Sequence, residues 1–289
     1  MPFLIGLLVN LVIGVVLSVA STLIQQAFAQ DTKTKTKTAG VRGSLQTGGD
    51  NPLSFIMGFY ATAGQLEYAG TWGNSGETPN AYYTKVISLS DIPVNGITGM
   101  FVNGEKVTIG GTATGDFGYP ISEYTSGGTA HLWVKFYTGT QTTRDPLLAT
   151  AFGSDADRPW ATTHVGTGVA YAVVTALVNR ELFSGLPEYL FEVEGIKLYD
   201  PRLDTTAGGS GSHRLATPST WAYSNNPVVA IYNILCGIYY GGTEWVWGPQ
   251  NIAQSRLPYA NWAAEMNKCD ALISLAAGGT EKRFRFGLE

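Results

Sequence analysis

The first thirty positions, Met1 to Gln30, carry no charged residue; the first charge is Asp31. Read as a helix, Phe3 to Phe28 would extend about 39 Å at about 1.5 Å per residue, longer than the hydrocarbon core of a bilayer, about 30 Å. Along it Gly6, Asn10, Gly14, Ser18 and Thr22 recur at every fourth position, and Ser21 and Gln25 extend the small or polar stripe. Small residues at this spacing let helices approach closely in lipid or outside it, so the helix is expected to pack against copies of itself. Three readings stay open: a signal peptide, a membrane anchor, or a helix buried by protein. Ala27-Phe28-Ala29 resembles a cleavage site, but no Lys or Arg precedes the apolar run.

From about residue 40 the period changes from helical to alternating, punctuated by Gly, Pro, Asn and Asp. Asn95-Gly96 and Asn103-Gly104 lie between apolar runs, and Asn-Gly suits the positive φ values of a type I′ turn. They predict a three-stranded meander of AYYTKVISLSDIPV, ITGMFV and EKVTI. AHLWVKFY (130–137) alternates and predicts a strand with one buried and one amphipathic face. GVAYAVVTALV (168–178) is nearly all apolar and β-branched, which predicts a central strand, with helix as the competing assignment. In FEVEGIKLYDPR (191–202), Phe191 and Val193 alternate with Glu192 and Glu194, then Ile196 and Leu198 take the opposite parity. A bulge at Gly195 would restore one continuous apolar face. Asp200 before Pro201 is held extended and ends the strand.

The last quarter returns to a helical period. Asn226 is placed to cap a helix that starts at Pro227, with Val228, Ile231, Tyr232 and Leu235 on its apolar face. PYANWAAEMNKCDALISLAAGG predicts a second helix with Trp262, Met266, Cys269 and Ile273 as its apolar face. KRFRFGLE alternates up to the last residue, which predicts a strand that continues in a longer chain or is completed by a partner.

Composition narrows the function classes. Charged residues are only 14% of the chain, against about 25% in typical soluble domains, which suits a surface partly covered by neighbouring subunits. The net charge of -4 and the lack of a basic stripe argue against nucleic-acid binding; Lys33, Lys35 and Lys37 alternate as a solvated face would. Cys236 and Cys269 stand alone, without metal-ligand spacing, and read as reduced core residues.

Glu192 and Glu194 share one strand face rather than facing across a cleft as glycosidase carboxylates do. Asp155 and Asp157 have the D-x-D spacing of calcium loops without the rest of that pattern. His131, His164 and His213 sit in no catalytic or metal motif, and phosphate-binding and dinucleotide fingerprints are missing. The seven Trp and fifteen Tyr are spread along all the predicted strands, as core and interface residues would be. No catalytic, cofactor or metal site is expected, and the chain reads as a non-enzyme.

Several ordered stretches resemble one family. GLPEYLFEVEGIKLYDPR, then TWAYSNNPVVAIYNIL, then NKCDALI and EKRFRFG are similar to the tail-tip central hub proteins of long-tailed bacteriophages. That family includes the lambda-type tip attachment proteins and the hubs of gene transfer agents. YAGTWGNSGE, YYTKVISLSDIPVNGITGMFVNGEKVTI and GVAYAVVTALVNRELFSGLPE resemble the strands upstream, so the likeness covers roughly residues 45–289. Its signature residues here are Tyr199, Asp200, Pro201, Arg202, Trp221, Asn226 and Pro227.

The resemblance implies a mainly β fold of barrel-like hub domains, α+β overall, with β-rich hub domains at 31–210, an inserted β subdomain at about 71–165, and a helical portion at 211–289; the hydrophobic helix at 1–30 rests on its apolar pattern instead. The resemblance also implies a homotrimer at the virion tail tip, assembled in the host cytoplasm. Such a hub closes the tail tube, contacts the distal tail protein, the tape measure protein and other tail-tip proteins, and supports host-attachment fibres. It opens for DNA ejection and binds no cofactor and no specific nucleic acid. Family members are usually much longer, so 289 residues would correspond to the beginning of a hub. Under this reading three copies of residues 3–28 form a bundle on the threefold axis, and the apolar segment meets the host membrane at ejection. Two rivals remain: a membrane-anchored, β-rich surface or carbohydrate-binding protein, and a secreted β-sandwich hydrolase.

Overall fold

The computed structural model describes residues 43–46, 52–250 and 252–289. The apolar segment 1–30, with its stripe at Gly6, Asn10, Gly14, Ser18, Ser21, Thr22 and Gln25, lies outside the described residues.

Two five-stranded antiparallel sheets organise the chain. The first has the order β18-β1-β11-β4-β5 and contains β1 (Met57–Thr62), β4 (Gly96–Val102), β5 (Glu105–Lys106), β11 (Tyr189–Glu194) and β18 (Gly287–Leu288). The second has the order β2-β3-β10-β9-β6, built from β2 (Gln65–Ser75), β3 (Thr78–Ser90), β6 (Tyr119–Pro120), β9 (Leu132–Thr138) and β10 (Ala170–Leu177). Four two-stranded ladders complete the β structure: β7 (Thr125–Ser126) with β8 (Thr129–Ala130), β12 (Lys197–Leu198) with β13 (Ala222–Tyr223), β14 (Ile238–Tyr240) with β15 (Glu244–Trp247), and β16 (Leu272–Ser274) with β17 (Thr280–Lys282). The helices are α1 (Pro146–Phe152), α2 (Pro227–Cys236) and α3 (Tyr259–Asp270).

The fold is mainly β, as expected, but neither large sheet closes into a barrel. The strands at three of the four edges, β5, β6 and β18, have two residues each, too short a ladder to join a distant strand. The fourth edge, β2, shifts register twice against β3, which twists it away from a flat pairing surface.

The first core lies between the inner faces of the two sheets and includes Ile56, Ile87, Met100, Leu132, Val174, Phe191 and Val193. A second core lies under α2 and α3 and includes Met57, Ile196, Leu198, Tyr199, Val229, Tyr232 and Met266. On the outer face of the second sheet, α1 sets Leu147, Leu148 and Phe152 against Val86, Tyr171 and Val173. Asp145, fully buried, caps α1 by accepting from the Leu148 amide (2.8 Å). Its second oxygen takes hydrogen bonds from Lys135 (2.9 Å) and Tyr137 (2.7 Å), so the helix is tied to β9.

The parity change after Val193 therefore has a different purpose from the expected bulge. Phe191 and Val193 enter the first core, whereas Ile196 and Leu198 enter the second; the register shift in β11 falls earlier, between Glu192 and Val193. At the crossing, the Gly195 amide donates to Gly58 O (2.7 Å) and the Ile196 amide to Ile56 O (2.8 Å). A Cβ on Gly195 would sit 2.2 Å from Ile56 O and 2.9 Å from Met57 Cα. Only glycine lets the two segments pass this closely, and the same pair of neighbours, Ile56 and Met57, also divides between the cores.

The two Asn-Gly pairs differ. Asn103 (φ 52°) and Gly104 (φ 88°) make the expected turn between β4 and β5. The Asn95 amide instead donates to Glu194 O and Gly195 O, and β3 and β4 belong to different sheets, so the predicted meander is broken there. Residues 170–177 do form a central strand, paired with β3 on one side and β9 on the other.

Asn226 caps α2 as expected, its Oδ1 accepting from the Val228 (3.0 Å) and Val229 (3.3 Å) amides. The buried face is Val229, Ala230, Tyr232 and Asn233, while Ile231 is 49% exposed. The helix turns this way because Asn233, not an aliphatic residue, docks on the Tyr199 backbone. In α3, Met266 and Cys269 are buried with Ala263; Trp262 packs edge-on to Tyr232 at 5.3 Å, and Ile273 falls in β16. The final alternating stretch leaves its ladder at Lys282, and Gly287–Leu288 pairs with β1 of the same chain.

Lys85 lies in the first core, 8% exposed, with its Nζ donating to Pro187 O (3.2 Å) and set over the rings of Tyr83 and Tyr189. Burial pulls its pKa down to about 8, against the opposing charge of Glu188. A folded-state value below the unfolded one means that the charged lysine weakens the fold at neutral pH and that this cost fades as pH rises. Lys85→Met is expected to be at least as stable as the parent at pH 7 in urea unfolding, with its advantage shrinking between about 8 and 10.5. Gly195→Ala is expected to lose about 3 kcal/mol in the same assay, because the obstructing atoms are backbone; Gly76→Ala, with open space but a positive φ, should lose only about 1 kcal/mol.

Candidate functional site

The chain leaves β12 through Tyr199-Asp200-Pro201-Arg202. Asp200 is extended (φ -114°, ψ 112°), and its Oδ1 accepts from the Arg202 amide (2.9 Å), closing a 3-10 turn over Pro201–Leu203. The Arg202 guanidinium then takes two carboxylates. Its Nη2 lies 2.6 Å from Asp200 Oδ2 and 2.8 Å from Asp270 Oδ2, while Nη1 donates to Asn267 Oδ1 at 2.9 Å. Lys282 holds the other Asp270 oxygen at 2.7 Å. Arg202 thus joins the end of β12 to the last turn of α3, and Asp270 carries the link on to β17 through Lys282.

Tyr199 is fully buried and satisfied on every side. Its amide donates to Asn233 Oδ1 (2.9 Å) and its carbonyl accepts from Asn233 Nδ2 (2.8 Å), while its hydroxyl donates to Asp204 Oδ2 (2.7 Å) and accepts from Gln254 (2.8 Å). Asp204, 1% exposed, also accepts from the Thr206 amide and hydroxyl (both 2.7 Å) and from Arg214 (3.0 Å). Burial works against its ionisation, but hydrogen bonds from Thr206 and Tyr199 and the charge of Arg214 hold its carboxyl below the usual range. In Asp270 burial is likewise outweighed by Lys282 and Arg202.

The loop closes on itself where the His213 amide donates to Leu203 O (2.9 Å) and His213 Nδ1 accepts from the Asp200 amide (3.1 Å). Burial lowers the pKa of His213, against the charges of Asp200 and Asp204. Trp221 donates from Nε1 to Arg214 O (2.9 Å) and packs on Tyr199 at 6.3 Å; Asn226 Nδ2 reaches Met266 O (2.8 Å). Beside this network lies a cleft of about 380 Å³ lined by Asp200, Arg202, His213, Tyr223, Asp270 and Lys282, among others.

Tyr199, Asp200, Pro201, Arg202, Trp221, Asn226 and Pro227 therefore converge on one region. Sequence reasoning missed Asp204, His213, Asn233 and Asp270. Two signals could have found some of them: Asp204-x-Thr206 is a side-chain-to-backbone turn pattern, and Asn233 is a polar residue on an apolar helix.

The remaining candidates stay apart. Glu192 pairs with Lys106 (2.8 Å) and Glu194 accepts from Asn95 (2.6 Å), both on the first sheet. Asp155 accepts from the Asp157 and Arg158 amides in a local turn, and no group of three or more metal-ligating side chains occurs among the described residues. Cys236 and Cys269 are free thiols. Trp72, Tyr82, Phe117 and Trp133 do gather on the second sheet, but Trp72 stacks on Tyr82 (4.8 Å), and Phe117 lies against both and against Trp133 (4.8 Å). Their faces are turned to one another rather than to a sugar.

Removing the guanidinium would leave two carboxylates without their shared partner. Arg202→Met is expected to lose about 3 kcal/mol of unfolding free energy, the lower end of the range for broken buried pairs because Asp270 keeps Lys282. A loss within about 0.5 kcal/mol in urea unfolding would show that the ion-pair chain does not hold these elements together.

No protein-family model matches the chain, and no curated protein matches it. Among solved structures, a chain from "Virion of native gene transfer agent (GTA) particle" aligns with a TM-score of 0.35 and 14% identity, over 66% of this chain and 38% of that one. The chain thus spans well under half the length of that virion component, and a likeness at this TM-score carries no argument about family or role.

Proposed function

We propose that this chain is a structural, non-catalytic component of a phage-like virion: the hub portion of a tail tip, acting as a homotrimer. The observation that carries this reading is the use made of the signature residues. Tyr199, Asp200, Arg202, Trp221 and Asn226 are engaged in bonds that join the loop, α2 and α3, which is what a rigid assembly subunit needs from them. Phe59, Ile231, Trp245, Trp247, Leu272 and Phe284 are large apolar residues between 43% and 67% exposed, which subunit contacts would cover.

In this reading the trimer closes the tail tube, contacts the distal tail, tape measure and other tail-tip proteins, supports host-attachment fibres and opens for DNA ejection. The apolar segment 1–30 would line the threefold axis and meet the host membrane at ejection. The site of action is the virion tail tip, after assembly in the host cytoplasm.

Rotational symmetry tests the proposal. Cryo-electron microscopy of the assembled particle should place this chain in a threefold ring at the tip. A different rotational order would overturn the trimer, and a monomer or dimer extracted only by detergent would favour the membrane-anchored surface protein instead.

A further inference from the structure

The cleft beside Arg202 contains an imbalance that the ion-pair network does not use. His213 is 6% exposed and lines the cleft. Its Nδ1 accepts from the Asp200 amide, so in the neutral ring the proton sits on Nε2. Nε2 has no hydrogen-bond partner among the described residues. Three consecutive lining residues, Tyr223, Ser224 and Asn225, add further donors. The Tyr223 hydroxyl and the Asn225 side-chain amide have no hydrogen-bond partner among the described residues, and Ser224 Oγ only accepts, from the Asn226 amide (3.2 Å). Lys282 also lines the cleft, with its ammonium 2.7 Å from Asp270 Oδ1.

The acceptors are in the opposite condition. Asp200 takes the Arg202 amide and guanidinium on its two oxygens; Asp270 takes Arg202 on Oδ2, and its Oδ1, buried away from the cleft and without a hydrogen bond, lies 2.7 Å from the Lys282 ammonium as an ion pair. Both carboxylates are neutralised by cations within the wall, so the groups left open are N–H and O–H donors, apart from the Asn225 amide oxygen. A cleft whose open groups are donors, one of them a buried ring with a fixed tautomer, is complementary to an acceptor-only group.

We propose that this cleft binds an oxyanion, a carboxylate or a phosphate, with His213 Nε2–H, Tyr223, Ser224, Asn225 and Lys282 as its donors. The inference does not depend on the virion reading. The ligand would brace the wall at Ala222–Asn225 against the loop ending at His213, joining two segments that the ion pairs leave unlinked.

The full chain, with uniform nitrogen-15 labelling, can be titrated separately with inorganic phosphate, acetate and chloride at constant ionic strength. The His213 ring-nitrogen signals and the amides of residues 222–225 report binding. Saturable shifts with phosphate, acetate or both, but not chloride, are expected, and the two oxyanion arms distinguish the ligand class. Ser224→Ala and, independently, Tyr223→Phe should weaken the interaction about tenfold to a hundredfold each, the usual effect of losing a hydrogen bond to a charged group. Equal shifts with chloride, no saturable shift, or unchanged affinity in both variants would overturn the proposal.

Discussion

The Arg202 guanidinium, held between Asp200 and Asp270, connects parts of the chain that have no ladder in common. Asp200 stands at the end of a strand segment, Asp270 at the end of α3, and Lys282, the second partner of Asp270, in β17. Each of these elements is short, and two-stranded ladders are marginal by themselves. Their relative placement thus rests on side-chain bonds more than on sheet hydrogen bonds. Arginine suits the position because its planar fork satisfies two carboxylates and the Asn267 amide oxygen at once. A lysine could not reproduce that geometry.

The network is stable as a partly buried charge cluster because little is left unpaired. Asp204 accepts from Tyr199, Thr206 and Arg214, and Asn233 returns both hydrogen bonds to the Tyr199 backbone. Buried polar groups strengthen a fold when all their bonds are made and weaken it when some are not. The same rule sets the cleft apart: the open donors of His213 and residues 223–225 lie beside a cluster whose acceptors are already engaged. Architecture and binding capacity occupy adjacent sides of one loop.

The second constraint is the crossing at Gly195. Two cores need two apolar faces, and a strand passing from one to the other must reverse its parity. Here that happens within two residues, where Gly195 lies against the Ile56–Met57 backbone. The first core is a sheet-on-sheet interior, while the second is helical and polar at its rim. Joining them by a continuous strand pair rather than a linker makes the two halves one packed unit.

The sequence by itself determined what depends on local geometry. Alternation and β-branching marked the central strand at 170–177, Asn103-Gly104 marked a turn through its positive φ values, and Asn226-Pro227 marked a helix start through its cap. The signature residues around Arg202 were legible as a group, though not what they bind. Tertiary structure alone decided that Asn95-Gly96 would cross between sheets, that α2 would turn Asn233 inward, and that the parity change would serve two cores. It alone brought Asp270 to Arg202, at a sequence distance of 68 residues, and His213 to the Asp200 amide. The physical reason is that φ preferences, caps and periodicity act over a few residues. The choice among apolar faces and the pairing of distant charges depend on which surfaces meet, and no local period encodes that.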